Sequence, residues 1–275
     1  MSTPALRSFL LLVFLPLSLP ALAGQAPPVG WRTELGVGLI ANPEFQGSGD
    51  YQLIPIPYFD VRYRDEKGDL LFANVPQGVG GWIHRRRGER GGRLNVGLAV
   101  APGFATRDDE IAGLEEIDIA TEARLYVTAG SPRWNASLTL AQDLGTGHEG
   151  RWLELGLARR GRIGRAGFWS LGPNLRFADS DFSEAQYGVS PAESLASGLP
   201  AHDAGSGLVS AGVQGLASRP IGRSRWRWTG ILALNALTGD RGDSPIVERR
   251  GQAFALMAIT RPLGGPPRGT TGGRR

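Results

Sequence analysis

The sequence predicts an all-β protein, a transmembrane antiparallel β-barrel of about 12 strands, within a range of 10–14. Three observations support this fold class. Stretches of about ten residues alternate strictly between apolar and polar side chains, as strands with two different faces do. Gly-rich segments separate these stretches, and 41 glycines suit a chain with many turns. The connections alternate between short and long, which is typical of membrane barrels.

The chain begins with a segment typical of a secretory signal. Arg7 gives a positive start, residues 9–19 supply an apolar core, and a small-residue cleavage site precedes Gly24. No segment is apolar over the roughly 18 residues that a spanning helix requires. We expect a signal over 1–23, a short lead over 24–30, a barrel over 31–261 and a disordered Gly/Pro/Arg tail over 262–275.

The strands are predicted from their alternation. In the clearest stretch, 116–127, Leu125 and Val127 lie on the apolar face, while Glu116 and Asp118 lie on the polar face. Other clear stretches lie at 31–39, 59–64, 94–101, 134–141, 153–157, 169–177 and 226–234, and weaker candidates lie at 69–75, 79–86, 207–218 and 251–260.

The connections separate into two kinds by their order along the chain. A soluble sandwich has no reason to sort its connections in this way, whereas an outer-membrane barrel places short turns at the periplasmic end and longer loops outside. The short turns lie near 65–68, 87–91, 130–132, 162–165 and 219–223. The long, more acidic loops cover 42–50, 103–115, 143–150, 179–206 and 238–250, and only the link at 75–78 is short on that side.

Tryptophan and charge are also distributed by end. Amphipathic indoles are expected where lipid tails meet headgroups. Trp152 fits this belt less well because it shares a face with Glu154, and Trp82 has no clear place. The tryptophans predicted near the short turns or the N-terminus are Trp31, Trp134, Trp169, Trp226 and Trp228. The alternative is that these rings are ordinary core filler.

Arginines concentrate at the turn ends, and aspartate and glutamate concentrate in the long loops. Basic turns could contact anionic phospholipid headgroups or the cell wall. Acidic loops could share divalent cations with surface lipopolysaccharide, and a solubilising rim is the alternative. The formal net charge is +4. Scattered arginines behind an export signal make a nucleic-acid partner unexpected.

The long loops contain a Tyr-Gly-x-Ser element within 187–194, the stretch 197–207 and an Asp-Ser-Pro-Ile element within 239–247. These motifs resemble the MipA/OmpV family of outer-membrane proteins. The segments 44–48 and 54–58 fit the same pattern, so the resemblance spans about 31–259. The positions that match the family signature are Tyr187, Gly188, Ser190, Pro191, Asp203, Gly205, Asp243, Ser244 and Pro245.

The resemblance implies a β-barrel in the Gram-negative outer membrane. For the member that gives the family its name, it implies a non-catalytic scaffold that joins a lytic murein transglycosylase to a bifunctional peptidoglycan synthase. Related members resemble surface proteins involved in adhesion, osmotic response or antibiotic susceptibility. No catalytic residue can be carried over, and the signature positions are expected to shape the loops, because Pro and Gly fix turns and Asp and Ser cap backbone donors.

The longest loop offers an alternative to this expectation, a catalytic site. His202 and Asp203 lie near Ser190, Ser194 and Ser197 in the longest loop, so a hydrolytic triad for a lipid or ester is conceivable. Loops rich in Ser and Asp contain such trios by chance. With no cysteine and three dispersed histidines, neither a metal site nor a cofactor is expected. The acidic run 108–110 is interpreted as a solvated loop.

The serious alternative to a scaffold or surface barrel is a pore for small polar solutes. A barrel of this size is wider than the eight-stranded case that side chains just fill. The lumen could conduct, or it could be closed by internal salt bridges and by the folded-in loop 179–206. The charged residues predicted to face it are Glu34, Asp60, Arg62, Arg64, Glu116, Asp118, Glu122, Arg124, Glu154 and Arg176.

Overall fold

The computed structural model describes residues 29–89, 91–104 and 111–263, which form a closed antiparallel barrel of 12 strands. Each strand pairs with the next, and β1 pairs with β12 to close the sheet. The strands are β1 (Gly30–Pro43), β2 (Tyr51–Asp65), β3 (Gly68–Asn74), β4 (Gly78–Arg87), β5 (Arg93–Gly103), β6 (Ala120–Gly130), β7 (Trp134–Asp143), β8 (Arg151–Ile163), β9 (Gly167–Ala178), β10 (Gly207–Pro220), β11 (Arg227–Leu237) and β12 (Gly251–Leu263).

The predicted fold class is therefore confirmed, and all twelve predicted strands are present. β12 continues to Leu263, two residues beyond the predicted end of the barrel. The start predicted for β6 is wrong. Its pairing with β5 ends at Gly103 opposite Ala120, and residues 116–119 lie outside the strand, with only an isolated bridge at Ile117. Glu116 and Asp118 are consequently exposed in a loop and do not face the lumen. The predicted signal, most of the lead, the tail beyond 263 and the run 108–110 lie outside the described residues.

The two faces of the sheet differ as the alternation predicts. Large apolar side chains are exposed on the outer face, such as Val37 at 68 % and Trp31 at 66 % of their surface. Glu122 and Arg124 are buried on the inner face. A closed sheet whose outer band is apolar, while its charged side chains are buried inside, has lipid as its outer solvent. No helix among the described residues is long and apolar enough to cross a membrane.

The connections are sorted by end. Five short turns (66–67, 88–92, 131–133, 164–166 and 221–226) lie at one end, here called the short-turn end. The connections 44–50, 75–77, 104–119, 144–150, 179–206 and 238–250 lie at the opposite, long-loop end. The open ends of β1 and β12 both lie at the short-turn end, since the strand number is even. Three helices lie in the long loops: α1 (Ser180–Tyr187), α2 (Pro191–Ser197) and α3 (Gly239–Gly242).

The lumen is largely filled by side chains. An apolar cluster from β1, β2 and β10–β12 includes Ile40, Ile54 and Phe254. A second cluster packs the rings of Phe72 and Trp82 with centroids 5.7 Å apart, together with the ring of Tyr126. Trp82, which had no predicted place, is thus a luminal core residue. Filling of this kind replaces water inside the barrel with packed side chains.

Candidate functional site

The long loops fold over one mouth of the barrel and pack against each other. Phe182 and Tyr187 of α1 lie in a buried cluster with Trp152 of β8. A second cluster joins residues from four connections, 44–50, 104–119, 179–206 and 238–250. Its members are Leu114, Val189 and Ile246, with Phe45, Ile111 and Leu199 packed against them. Because the loops bury apolar surface against each other and against the strand ends, the covered mouth behaves as one packed unit.

Local sequence fixes the helices of the longest loop. The carboxylate of Asp179 accepts a hydrogen bond from the Phe182 amide at 3.0 Å and caps α1. Ser190 and Glu193 form a reciprocal capping box at the start of α2, with Ser190 Oγ accepting from the Glu193 amide at 3.2 Å. Pro191 occupies the first position of α2, where its missing N–H costs nothing. These contacts make the Ser190-Pro191 pair a helix start.

Tyr187 joins three loops. Its side chain is fully buried, and its hydroxyl donates a hydrogen bond to the side-chain oxygen of Gln46. Its carbonyl accepts a hydrogen bond from Ser244 Oγ at 2.6 Å. Burial raises the pKa of the Tyr187 phenol, so it remains a neutral donor. Gly188 follows without room for a side chain, because a Cβ there would lie 2.6 Å from the Glu184 carbonyl oxygen.

The remaining signature positions also shape loops. Asp203 accepts a hydrogen bond from the Gly205 amide at 3.0 Å, and Gly205 adopts a φ of +56° that favours glycine. Asp243 forms an exposed ion pair with Arg250. Pro245 is half-buried directly after the buried Ser244. The structure brings Tyr187 and Ser244 together, whereas Asp243 lies apart at the surface. The role of these positions as a family signature stays a prediction.

A pair of carboxyl groups lies in the same loop. The carboxyl groups of Glu184 and Asp203 are hydrogen-bonded to each other. Burial and this contact raise the pKa of Glu184, and the same contact lowers the pKa of Asp203. Glu184 Oε1 also accepts hydrogen bonds from the amides of Ala204 at 2.8 Å and Gly205 at 3.2 Å. The pair therefore holds α1 against the end of its own loop.

Beneath the loops, the carboxylate of Glu122 in β6 contacts three side chains in the lumen. Its carboxylate lies 2.6 Å from the Arg124 guanidinium, 3.0 Å from His148 Nε2 and 2.9 Å from Trp152 Nε1. The Glu122 side chain is 1 % exposed. Arg124 also donates to the carbonyl of Pro102 at 2.8 Å. Glu122 thus links β6, β8 and the loop 144–150 from inside the barrel, and Arg124 extends this link to β5.

A second ion pair lies beside this group. Arg176 of β9 pairs with Glu154 of β8 at 2.8 Å, and both side chains are buried. The Trp152 ring lies between two cations, 4.7 Å from the Arg176 guanidinium and 5.5 Å from that of Arg124. Both distances lie within the range of cation–π attraction. Trp152 is therefore a luminal residue, which explains why it shares a face with Glu154.

The short-turn mouth of the lumen is basic. Arg62 and Arg64 bind Asp69 at 3.3 and 2.6 Å. Arg32, Arg93 and Arg160 also face inward, and within the described part of the chain their guanidinium groups have no hydrogen-bond or ion-pair partner. Arg93 and Arg160 repel each other electrostatically, as do Arg32 and Arg64. This mouth therefore presents excess positive charge.

A pocket lies in the lumen under the long-loop end. It measures about 650 Å³ including its open mouth. Its wall combines aromatic rings with amide and guanidinium groups, and its residues come from five strands and two connections. They are Asn42, Pro43, Glu44, Phe45, Gln46, Phe104, Arg176, Ser210, Asn235, Leu237, Gln252, Ala253 and Phe254.

The conceivable catalytic trio is not assembled. His202 Nε2 lies 2.8 Å from the Asp240 carbonyl oxygen, and the His202 backbone pairs with Val189. The Ser194 and Ser197 hydroxyls donate to the carbonyls of Leu199 and Glu193 at 2.6 and 2.7 Å. Ser190 Oγ serves as the helix cap. Among the described residues, none of these hydroxyls contacts His202, and no group of acidic, His or Cys residues could hold a metal ion.

A closed barrel with an apolar outer band, a lumen filled by polar and apolar side chains, and packed loops at one end defines an outer-membrane-type β-barrel protein. Residues 35–262 match the family model described as MltA-interacting protein MipA. The match covers most of the chain, which therefore belongs to this family. The resemblance inferred from the loop motifs is thereby confirmed.

The solved structures include OccK11 (OpdR) of Pseudomonas aeruginosa, which is 12 % identical. The match covers 88 % of this chain and 99 % of that chain, with a TM-score of 0.24. No curated protein matches the chain in sequence.

Some site residues escaped the sequence reasoning. Gln46 and His148 lie in loops, and their hydrogen-bond partners, Tyr187 and Glu122, are 141 and 26 positions away in the sequence. No local pattern signals such contacts. Trp152 carried a usable signal, since its placement on the face of Glu154 already pointed to the lumen.

Proposed function

We propose that this chain is a non-catalytic scaffold of the Gram-negative outer membrane, exported by a cleaved signal. In this proposal it links a lytic murein transglycosylase of the MltA kind to a bifunctional peptidoglycan synthase. The observation that carries the proposal is the filled and covered lumen, because a barrel closed by its own side chains offers surfaces for partners and no path for solutes. The family description supports the first partner.

The orientation follows from the two ends of the barrel. Outer-membrane barrels direct short turns to the periplasm and longer loops outward. Enzymes of the cell wall would then meet the short-turn end, where Arg133, Arg165 and Arg223 are exposed. Outer-membrane lipid contacts the apolar band, and the acidic long loops face lipopolysaccharide. Basic residues near a charged surface each contribute about 1 kcal/mol.

The absence of catalysis is part of the proposal. It is supported by the hydroxyls of Ser190, Ser194 and Ser197, which are engaged with the backbone of their own loop. A serine nucleophile would need a histidine within hydrogen-bond reach.

Capture from native membranes tests the partners. The tagged barrel, cross-linked in outer membranes and purified, should enrich a murein transglycosylase and a peptidoglycan synthase. A triple variant with Arg133→Glu, Arg165→Glu and Arg223→Glu should lose this enrichment, because it reverses charge at the short-turn end. Arg249→Glu, an exposed change at the opposite end, is the matched control. If neither enzyme is enriched over membranes that lack the barrel, the scaffold proposal fails.

A solute pore is the second candidate, and the basic short-turn mouth favours it. The luminal residues Arg32, Arg93 and Arg160, which have no partner among the described residues, would select anions if the lumen conducted. Conductance of the purified barrel in a planar lipid bilayer separates the two functions. We expect no steps at moderate voltage. Regular ohmic steps with anion selectivity, reduced by Arg160→Gln, would support the pore and contradict a closed scaffold.

A further inference from the structure

The pocket under the long-loop end contains buried polar atoms without partners. Among the described residues, Asn42 Oδ1, Gln46 Nε2 and Arg176 Nε make no hydrogen bond. Asn42 and Arg176 are only 2 and 6 % exposed. Each buried polar atom left in this way costs about 1–3 kcal/mol, so native proteins retain few of them. Three such atoms on residues that line one pocket indicate a site for a hydrogen-bonding ligand.

The three side chains are also held in place. Asn42 Nδ2 donates to the Pro43 carbonyl at 2.7 Å. The side-chain oxygen of Gln46 accepts from Tyr187, and Arg176 Nη2 donates to Glu154 at 2.8 Å. Each side chain is therefore anchored through one atom and has a second polar atom that is buried and unpaired in the wall of the pocket. Such preorganisation reduces the entropic cost of binding a ligand.

The wall also has an apolar part, which lies beside the polar residues Glu44, Ser210, Asn235 and Gln252. The rings of Phe45, Phe104 and Phe254 line the pocket with the side chain of Leu237. The Arg176 charge is compensated by Glu154, so the buried part of the wall is close to neutral. A concave apolar wall with a few convergent polar groups is the usual design of a small-molecule site.

We infer that this pocket binds a small, uncharged amphipathic molecule with an apolar, ring-like body and a hydrogen-bonding head. The head must accept hydrogen bonds, to satisfy Gln46 Nε2 and Arg176 Nε, and donate one, to satisfy Asn42 Oδ1. An amide or hydroxyl group meets both conditions. The site goes beyond the scaffold function and stands independently of any protein partner.

The test uses the full barrel in lipid nanodiscs and a fluorinated probe, 3-(4-fluorophenyl)propanamide, followed by fluorine NMR. The probe combines the body with an amide head. 1-Fluoro-4-propylbenzene carries the same body without the head. Empty nanodiscs correct for partition into lipid. We expect saturable binding of the amide, and binding at least about ten-fold weaker for the headless compound.

Variants connect binding to the pocket. Gln46→Glu keeps an oxygen for Tyr187 and replaces the unpaired donor, so affinity should fall about ten-fold. Asn42→Leu removes the unpaired acceptor at similar volume and should also weaken binding. Gln142→Glu makes the same chemical change at a side chain of the outer face, where Nε2 is already bonded to the Asp143 carbonyl at 2.9 Å. This control should bind normally.

The results separate a ligand site from a hydrated cavity. If the amide and the headless compound bind equally, or if Gln46→Glu and Asn42→Leu bind the amide as the wild type does, the polar atoms are satisfied by water alone and the inference is overturned. Unheated gel mobility of each variant confirms that the barrel is folded before binding is measured.

Discussion

Glu122 is the residue whose loss should most disturb the lumen. Glu122→Gln can still accept a hydrogen bond from Trp152 or His148, but it leaves the buried Arg124 without its counter-charge. Breaking a buried ion pair on one side costs about 3–5 kcal/mol. We expect the free energy of unfolding to fall by this amount, measured by guanidinium titration of the barrel refolded in lipid vesicles.

The control for this change is Glu116→Gln, which alters an exposed loop residue. It should change the free energy of unfolding by less than about 0.5 kcal/mol. Equal effects of the two variants would contradict the conclusion that the contacts of Glu122 stabilise the inside of the barrel.

The carboxyl pair in the longest loop predicts a pH dependence. Because the pKa of Glu184 is raised, this group stabilises the folded loop when the pH is below the ordinary pKa of a glutamate. That stabilisation is lost as the pH rises through the raised pKa. Because the pKa of Asp203 is lowered, this group stabilises the folded loop when the pH is above the ordinary pKa of an aspartate. That stabilisation is lost as the pH falls through the lowered pKa. The loop should therefore be most protected between the two pKa values and should loosen toward neutral pH.

Hydrogen exchange of 179–206 across this pH range measures the effect. Glu184→Gln keeps an oxygen for the Ala204 and Gly205 amides and removes one titration, so the loss of protection on the neutral side should disappear. Asp181→Asn in the same helix, an exposed position, should retain the full profile. A variant profile identical to that of the wild type would exclude the pair as its cause.

Among the strands, the β8–β9 contact tolerates the least change. A Cβ on Gly172 would come within 1.8 Å of the Leu157 carbonyl oxygen, which is backbone and cannot turn away. Gly215 of β10 has no atom nearer than 3.4 Å to such a Cβ. Gly172→Ala should lower the folded fraction on unheated gels and destabilise the barrel by about 1–3 kcal/mol or more.

Gly215→Ala is the matched control, because it adds the same methyl group to a neighbouring strand. It should fold like the wild type. Folding of Gly172→Ala at wild-type yield would show that β8 and β9 are less closely packed than described.

The strands could be predicted because their signal is local. Alternation of side chains is a property of each strand by itself, so Leu125 and Val127 indicated an outer face without knowledge of the rest of the chain. The start of β6 could not be predicted, because it depends on where β5 ends. The loop helices also escaped prediction, although Ser190-Pro191 followed by Glu193 is a capping signal in the sequence. The pocket depends on contacts such as Gln46 with Tyr187, which no short-range pattern encodes.

The whole molecule should show two classes of tryptophan. Trp31, Trp134 and Trp226 are exposed on the outer face near the short-turn end, whereas Trp82 and Trp152 are buried in the lumen. Lipids brominated near the headgroup should quench the fluorescence of the outer class. A variant with the five tryptophans predicted near the short turns or the N-terminus replaced by phenylalanine (Trp31, Trp134, Trp169, Trp226 and Trp228) should retain the emission of Trp82 and Trp152 with little quenching.

The control is the wild-type barrel in the same lipid without bromine. Strong quenching of the variant would place lipid beside the luminal rings and would contradict a closed barrel. Equal emission of the wild type in both lipids would contradict lipid as the solvent of the outer face.

The even number of strands has a practical consequence for experiments in living bacteria. Since β1 begins and β12 ends at the same end of the barrel, two halves of a split luciferase placed directly before β1, behind the signal, and directly after β12 share one compartment. They should assemble and emit light, whereas a half inserted into 179–206 would stay separated from its complement by the bilayer.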